Sequence, residues 1–451
     1  MGVGLEGPAA ELARFRTSLH QCLAPWGDAL FELCDAVLCA PAPVSSVSSL
    51  SLEPEFRRSH GSLYKALAEG GVNEDLLRVA LVEHRNVKWP AVFAVDASTW
   101  ARCDAETSPE RGMYYSATTH SAGQPVVAGW NFQWIAQLSW AHDSWTAPLD
   151  ALRIKPSESA TDVTIAQVRR LVGLLGPSDV APMFVFDAGY DPIALGQGLA
   201  GLDAQVLVRL SSRRVFHPDP DPGPRKGQRG RPRRHGARFC LSDPVTQSVP
   251  DAELVAHDPR YGDVRVSAWH GLHPRLNKRG RWATDGALPI VRGSVIRVDV
   301  EHLPKPTSRA KKTLWLWWSG PGEPDLALCW RAYLRRFDIE HTYRFAKGVL
   351  GWNTPALCTP EQADRWTWLV VAGYTQLRLA RGLVDDMRLP WERPRDPSKL
   401  TPTRVRRGFR RLRATIDTPA HPPKTDSPGP GRPKGTRGPP RTRYPVIMKA
   451  A

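Results

Sequence analysis

Four residues with polar or charged side chains recur at a helical spacing in the stretch Trp330 to Gly351, W-R-A-Y-L-R-R-F-D-I-E-H-T-Y-R-F-A-K-G-V-L-G. They are Tyr333, Arg336, Glu340 and Lys347, in the pattern Y-x2-R-x3-E-x6-K. At 100° per residue they fall within about 60° of one another, so a continuous helix would carry a phenol, a guanidinium, a carboxylate and an ammonium on one face. Ala332, Ile339, Tyr343, Ala346 and Leu350 form the adjoining apolar stripe that would seat this helix in a core. A carboxylate flanked by cations at the edge of a buried helix is suited to presenting a metal ligand to a phosphate. A solvated face with i,i+4 ion pairs is the plainer reading of the same residues.

The spacing resembles the signature around the last catalytic acid of bacterial insertion-sequence DDE transposases, DDE superfamily endonucleases with a Tyr-Arg-Glu-Lys motif. The resemblance is strongest over 333–347 and extends over roughly 89–385. It implies two further aspartates upstream, each at the end of a buried strand of an RNase H-like sheet.

Two aspartates meet that demand. The run A-V-F-A-V-D over 91–96 reads as a strand buried on both faces with Asp96 where it emerges, and Met183 to Phe186 reads as a second such strand ended by Asp187. A turn or cap is the plainer role for an Asp after a strand. Asp191 is nearby and reads as the cap of a following helix. Asp96, Asp187 and Glu340 are thus the candidate catalytic and metal-binding residues. Carboxylates suit hard ions, so the expected cofactor is Mg²⁺ or Mn²⁺, two ions, with Asp96 as the bridging ligand. The chemistry would be hydrolysis of a DNA strand at the element end, then attack of the freed 3′-OH on target DNA. Arg336 and Lys347 would hold phosphates and Tyr333 would hydrogen-bond one, with Arg344 counted among the DNA-binding residues. The resemblance also implies a homodimer bridging two ends, and in this class excision often passes through a hairpinned flank. The alternatives are an RNase H-like nuclease without strand transfer and a non-catalytic DNA-binding protein of transposase descent.

The composition agrees with a nucleic-acid partner. The chain has 451 residues with 61 Lys plus Arg against 45 Asp plus Glu, a net charge of +16 that favours polyanions. Double-stranded DNA, as terminal inverted repeats and target, is the expected partner. No run of 18 apolar residues suggests a membrane span, and the N-terminus lacks a signal-peptide pattern, so a cytoplasmic, nucleoid-associated bacterial protein is expected. Seven cysteines without a C-x-x-C pair argue against a disulfide framework or a structural zinc. A Gly-x-Ser-x-Gly hydrolase motif is absent.

The elements that must position these residues suggest an α/β chain. Its RNase H-like core, a mixed sheet flanked by helices, is interrupted by a β-rich insertion and accompanied by a helical N-terminal domain and a basic disordered tail. Residues 1–88 are read as the helical domain, either a module that grips DNA ends or a solvated cap. The first core segment is 89–210, with strands at Gln124 to Gly129 and Trp130 to Leu138 in an antiparallel meander, a crossover helix at 161–176 and a parallel strand at Gln205 to Leu210. Asp187 and Glu340 are about 150 positions apart, too far for a structureless loop, so 211–310 is read as the insertion, with strands at Val264 to Ala268, Ile290 to Arg292 and Ser294 to Val300. It opens on a basic run in which Arg229, Arg231 and Arg233 resemble the core of an AT-hook, or form a flexible polycationic loop. The second core segment, 311–385, carries a strand at Lys311 to Ser319, the Glu340 helix and a helix at Pro360 to Leu383. Trp317, Trp318 and Trp352 read as core, with base stacking as the alternative. Beyond lies 386–451, Pro- and Arg-rich, with a basic helix at Pro402 to Ile416 and a DNA-seeking tail.

Overall fold

The computed structural model describes residues 7–120, 124–141, 143–220, 233–304, 312–424, 433, 435 and 440–448. The fold is mixed α/β, a large mixed sheet flanked by helices, and fits an RNase H-like core. It divides into two compact units, one made of Met1–Pro90, Val95–Glu158 and Asp338–Ala451, the other of Ala91–Ala94 and Ser159–Phe337.

The first unit begins with α1 (Pro8–Gln21), α2 (Gly27–Cys39), the short α3 (Val47–Leu50), α4 (His60–Glu69) and α5 (Glu74–Glu83). Helix α2 is buried at every residue from Ala29 to Cys39, so it must satisfy two acids away from water. Asp35 receives Arg16 at 2.6 Å and Arg413 at 2.6 Å, and Glu32 receives Arg57 at 2.6 Å. Two later helices of the unit, α10 (Pro360–Leu379) and α11 (Pro402–Arg413), pack on α2. Helix α10 starts at a capping box made by Thr359 and Gln362, with Pro360 in its first turn, where the missing N–H costs nothing.

In the same unit, β3 (Gln124–Leu138) lies between β2 (Gly112–His120) and β1 (Val92–Ala101), and its second half pairs antiparallel with β4 (Thr146–Ile154). The sequence suggests two strands over 124–138; one continuous strand forms instead. Gly129 is no turn there, because any Cβ would stand 2.2 Å from the Trp100 carbonyl oxygen, so the glycine permits close approach of the neighbouring backbone. The sheet also holds β2, a strand that the sequence reading does not include, and β3 lies between it and β1.

The second unit contains α6 (Ala160–Leu175), β5 (Met183–Phe186), α7 (Pro192–Gly198) and β6 (Gln205–Leu210). Ser159 caps α6 through the Asp162 N–H, and Gly176, at φ 72°, ends it in the left-handed region. Strand β5 pairs parallel with Val92–Ala94 on one side and with β6 on the other, which the all-apolar M-F-V-F anticipates. A two-stranded ladder, β7 (Val215–Phe216) with β8 (Phe239–Cys240), precedes β9 (Ala252–Asp258), β10 (Gly262–Leu272), β11 (Gly293–Val300) and β12 (Thr313–Ser319). These last four run in the order β12, β11, β10, β9 outward from β6, all antiparallel. Residues 290–292, read as a strand from sequence, are irregular, and the strand starts at Gly293.

The stretch Trp330 to Gly351 is not one helix. Helix α8 (Leu326–Arg335) ends before a two-residue turn, and α9 (Asp338–Gly348) begins anew. No residue there breaks helices. The division falls where the chain passes from one unit to the other: α8 buries Cys329, Trp330, Ala332 and Tyr333, and α9 buries Ile339, Thr342, Tyr343, Phe345 and Ala346. Burial of both apolar faces outweighs the continuity that helix propensity alone would favour.

The tail also departs from expectation where it is described. The Tyr444 and Ile447 N–H groups donate to Glu106 and Arg111 carbonyls at 2.8 and 2.7 Å, and Ile447 bridges Gly112 on β2. None of the described helices is long and apolar enough to cross a membrane.

Candidate active site

Asp96 sits within β1 rather than at its end, but it marks the point where the strand's burial changes. Val92 to Val95 are buried, and Asp96 to Thr99 are half-exposed. One carboxylate oxygen accepts the Ala97 N–H at 3.0 Å, and the Asp96 carbonyl accepts the Tyr343 hydroxyl at 2.8 Å. That second bond ties α9 to the acid. Tyr343 is braced in turn by Trp134 at 4.9 Å and by Trp352, whose ring stacks on it at 5.7 Å. Glu340 lies one turn before Tyr343, and Lys347 one turn after it, so all three share a face of α9.

The Lys347 ammonium stands 5.6 Å over the Trp352 ring. Burial pulls its pKa below the ordinary lysine value, and the negative charge of Asp96 offsets part of that fall. A half-buried cation is therefore held within the field of the first candidate acid, on the helix that bears the third. Glu340 is half-buried and Arg344 is exposed.

Asp187 follows directly on β5 and is half-buried. It accepts the Gly189 N–H at 2.8 Å, and a Cβ at 189 would stand 3.1 Å from the same oxygen, so a larger residue there would shift the carboxylate by a few tenths of an ångström. Asp191 instead caps α7, accepting the Ile193 and Ala194 N–H groups at 3.0 and 3.3 Å. Within the second unit, Ala94 pairs with Val185. Tyr333 and Arg336, in the same unit as Asp187, are 8% and 6% exposed, with the Arg336 guanidinium 5.8 Å over the Tyr333 ring and 5.7 Å over Phe337. Those two side chains sit among protein groups rather than on a solvated face.

Among the other expected DNA-binding residues, Arg233 is exposed, whereas Arg229 and Arg231 lie outside the described residues. Trp317, Trp318 and Trp352 are buried, which assigns them to packing and removes base stacking as their role. In the N-terminal helices Arg57, Arg58 and Arg78 are engaged by acids, Arg78 with Asp150 at 2.7 Å. Tyr343 was read from sequence as part of an apolar stripe. Its hydroxyl is the signal that could have suggested more, since a purely apolar position has no use for one.

A family model described as DDE superfamily endonuclease matches residues 18–275, more than half of the chain. The matched region contains Asp96 and Asp187 and stops before Glu340. No curated protein matches the chain.

Proposed function

From the premise that this chain belongs to the DDE superfamily endonucleases, we propose that it is the transposase of an insertion sequence, cutting DNA at the element ends and joining the freed 3′-OH to target DNA. DDE endonucleases act on DNA with divalent metal ions, and the donor set here fits such ions. Asp96, Asp187 and Glu340 are half-buried oxygen donors, the chemistry that Mg²⁺ or Mn²⁺ prefers over soft ligands. When bound, two such ions supply charge stabilisation for an in-line phosphoryl displacement and an acidified water.

The observation that carries the reading is the attachment of α9 to Asp96, through the Tyr343 hydroxyl and within the field of Lys347, with Glu340 on the same helix face. Backbone N–H groups fix one oxygen of each aspartate, which orients the carboxylates before substrate arrives. Lys347 and the exposed Arg344 would draw the scissile or adjacent phosphates toward the acids. No side-chain nucleophile is needed, because water and then the 3′-OH attack phosphorus.

The test is cleavage and joining of labelled DNA bearing the element's ends, with Mg²⁺ or Mn²⁺. Asp96→Ala, Asp187→Ala and Glu340→Ala should each lower cleavage by about a thousandfold or more while leaving end binding in place, since several kcal/mol of transition-state stabilisation goes with the metal ligands. Full activity in any one variant would remove that residue from the set. Cleavage without joining would favour a nuclease that lacks strand transfer, and binding without cleavage a non-catalytic DNA-binding protein.

A further inference from the structure

The chain that follows α11 returns to the N-terminal helices. Ala420 is buried, its carbonyl accepts Arg57 at 3.0 Å, and the His421 carbonyl accepts Arg58 at 2.7 Å and Arg57 at 3.3 Å. These bonds fix the backbone so that the His421 ring faces Asp28. One Asp28 oxygen lies 2.7 Å from His20 Nε2 and 3.3 Å from His421 Nδ1, and it also accepts the His421 N–H at 3.1 Å. One ligand atom from each of the three side chains can be chosen so that all lie within 4.8 Å of one another.

Two of these groups stand on rigid elements. His20 is in the last turn of α1, its ring edge-on to Phe31 at 5.6 Å, and Asp28 is in the first turn of α2. Two imidazoles and a carboxylate suit a borderline ion such as Zn²⁺ or Co²⁺, and suit Mg²⁺ or Ca²⁺ poorly. Zinc bonds of about 2.0–2.1 Å in a tetrahedron put ligand atoms roughly 3.3 Å apart, so the 2.7 and 3.3 Å histidine–carboxylate separations need to change by about 0.6 Å or less, and the two imidazole nitrogens, within 4.8 Å of each other, need to approach by up to about 1.5 Å. Arg58 lies 3.4 Å from the second Asp28 oxygen, which leaves the first as a monodentate ligand. His421 is exposed on its outer side, so water can complete the coordination.

We propose that His20, Asp28 and His421 form a zinc-type metal site that fastens the segment after α11 to α1 and α2. Its residues differ from the three acids of the proposed active site, and it takes an ion of a different class. His421 lies 393 positions beyond Asp28, so no local ligand spacing announces the full set.

Titration of the full chain with Co²⁺, followed by visible absorption, tests the site. One equivalent should give a d–d band that Zn²⁺ displaces, and the band should persist when Asp96, Asp187 and Glu340 are all replaced by Ala. His421→Gln, at an exposed position that does not threaten folding, and His20→Gln should each weaken binding by at least about tenfold, the loss that outer partners of a metal site alone can cause. Zn²⁺ should also raise the melting temperature of the wild type and not of His421→Gln. Absence of a band in the wild type, or its survival in both histidine variants, would overturn the proposal. A band lost only with the three acids would place the ion at the proposed active site instead.

Discussion

Lys347 combines two demands that pull against each other, burial that disfavours its charge and a nearby Asp96 that favours it. Burial prevails, so the folded pKa lies below that of a free lysine. As pH rises through that depressed value, the ammonium is lost earlier than for an exposed lysine. If Lys347 draws phosphate, DNA cleavage should decline on the alkaline side before ordinary lysines titrate, and Lys347→Arg should shift that decline upward because a guanidinium stays charged. Lys347→Gln should lower cleavage at neutral pH about 10- to 100-fold, as loss of a charge-assisted contact of about 1.5–3 kcal/mol predicts. An alkaline limb that is the same in wild type and Lys347→Arg would show that another group sets it. Asp96 and Asp187 stand out in sequence as candidates because each follows an apolar run, and Glu340 because it lies in a spaced motif. The burial of Tyr333 and Arg336 was not, since a helical wheel cannot tell which of two packing partners a face will meet.

At the scale of elements, the buried acids of α2 show how the helices of the first unit are held. Asp35 is fully buried and bonds Arg16 from α1 and Arg413 from α11, and Arg16 also donates to Gln376 of α10 at 2.6 Å. Removing the carboxylate leaves two guanidinium groups short of their counter-charge. Asp35→Ala should therefore destabilise the chain by about 3–5 kcal/mol, with a matching drop in the urea midpoint and an unchanged slope. A loss below about 1 kcal/mol would mean that water or other acids take over. Strands β5 and β12 were legible because they are apolar on both faces, β6 because its Val206, Val208 and Leu210 alternate onto one buried face, and α6 because a serine and a glycine punctuate it. Strand β2 was not, because its M-Y-Y-S-A-T-T-H run mixes exposed Tyr115 and Met113 with polar residues at the edge of its ladder, so no clean alternation appears. The break between α8 and α9 was equally hidden, for it arises from packing and not from a breaker residue.

For the whole molecule, the net charge of +16 overstates the freedom of many of its arginines. Helix α11 is strongly basic in sequence, yet Arg404 pairs with Asp386 at 2.9 Å, Arg407 with Glu392 at 2.5 Å, Arg410 with Glu53 and Glu55, and Arg406 donates to the Val37 and Ala42 carbonyls. Its charge is directed into the protein. The run Pro222 to Phe239 holds seven Lys and Arg and no acid of its own. Counterion release separates the two kinds of arginine, because each neutralised phosphate contributes about 0.9 to the slope of log affinity against log salt. Replacing Arg229, Arg231 and Arg233 together by Ala should lower that slope by about 2–3 and weaken binding to unrelated and element-end duplexes alike. Arg407→Ala with Arg410→Ala removes nearly as much formal charge, yet it should leave the slope within about 0.5 and appear as lost stability. Measurement of binding to both duplexes between 50 and 200 mM salt decides between them. If the α11 pair lowers the slope and the loop triple does not, the protein binds DNA through the helix that its own acids now hold, and those ion pairs must open when DNA arrives.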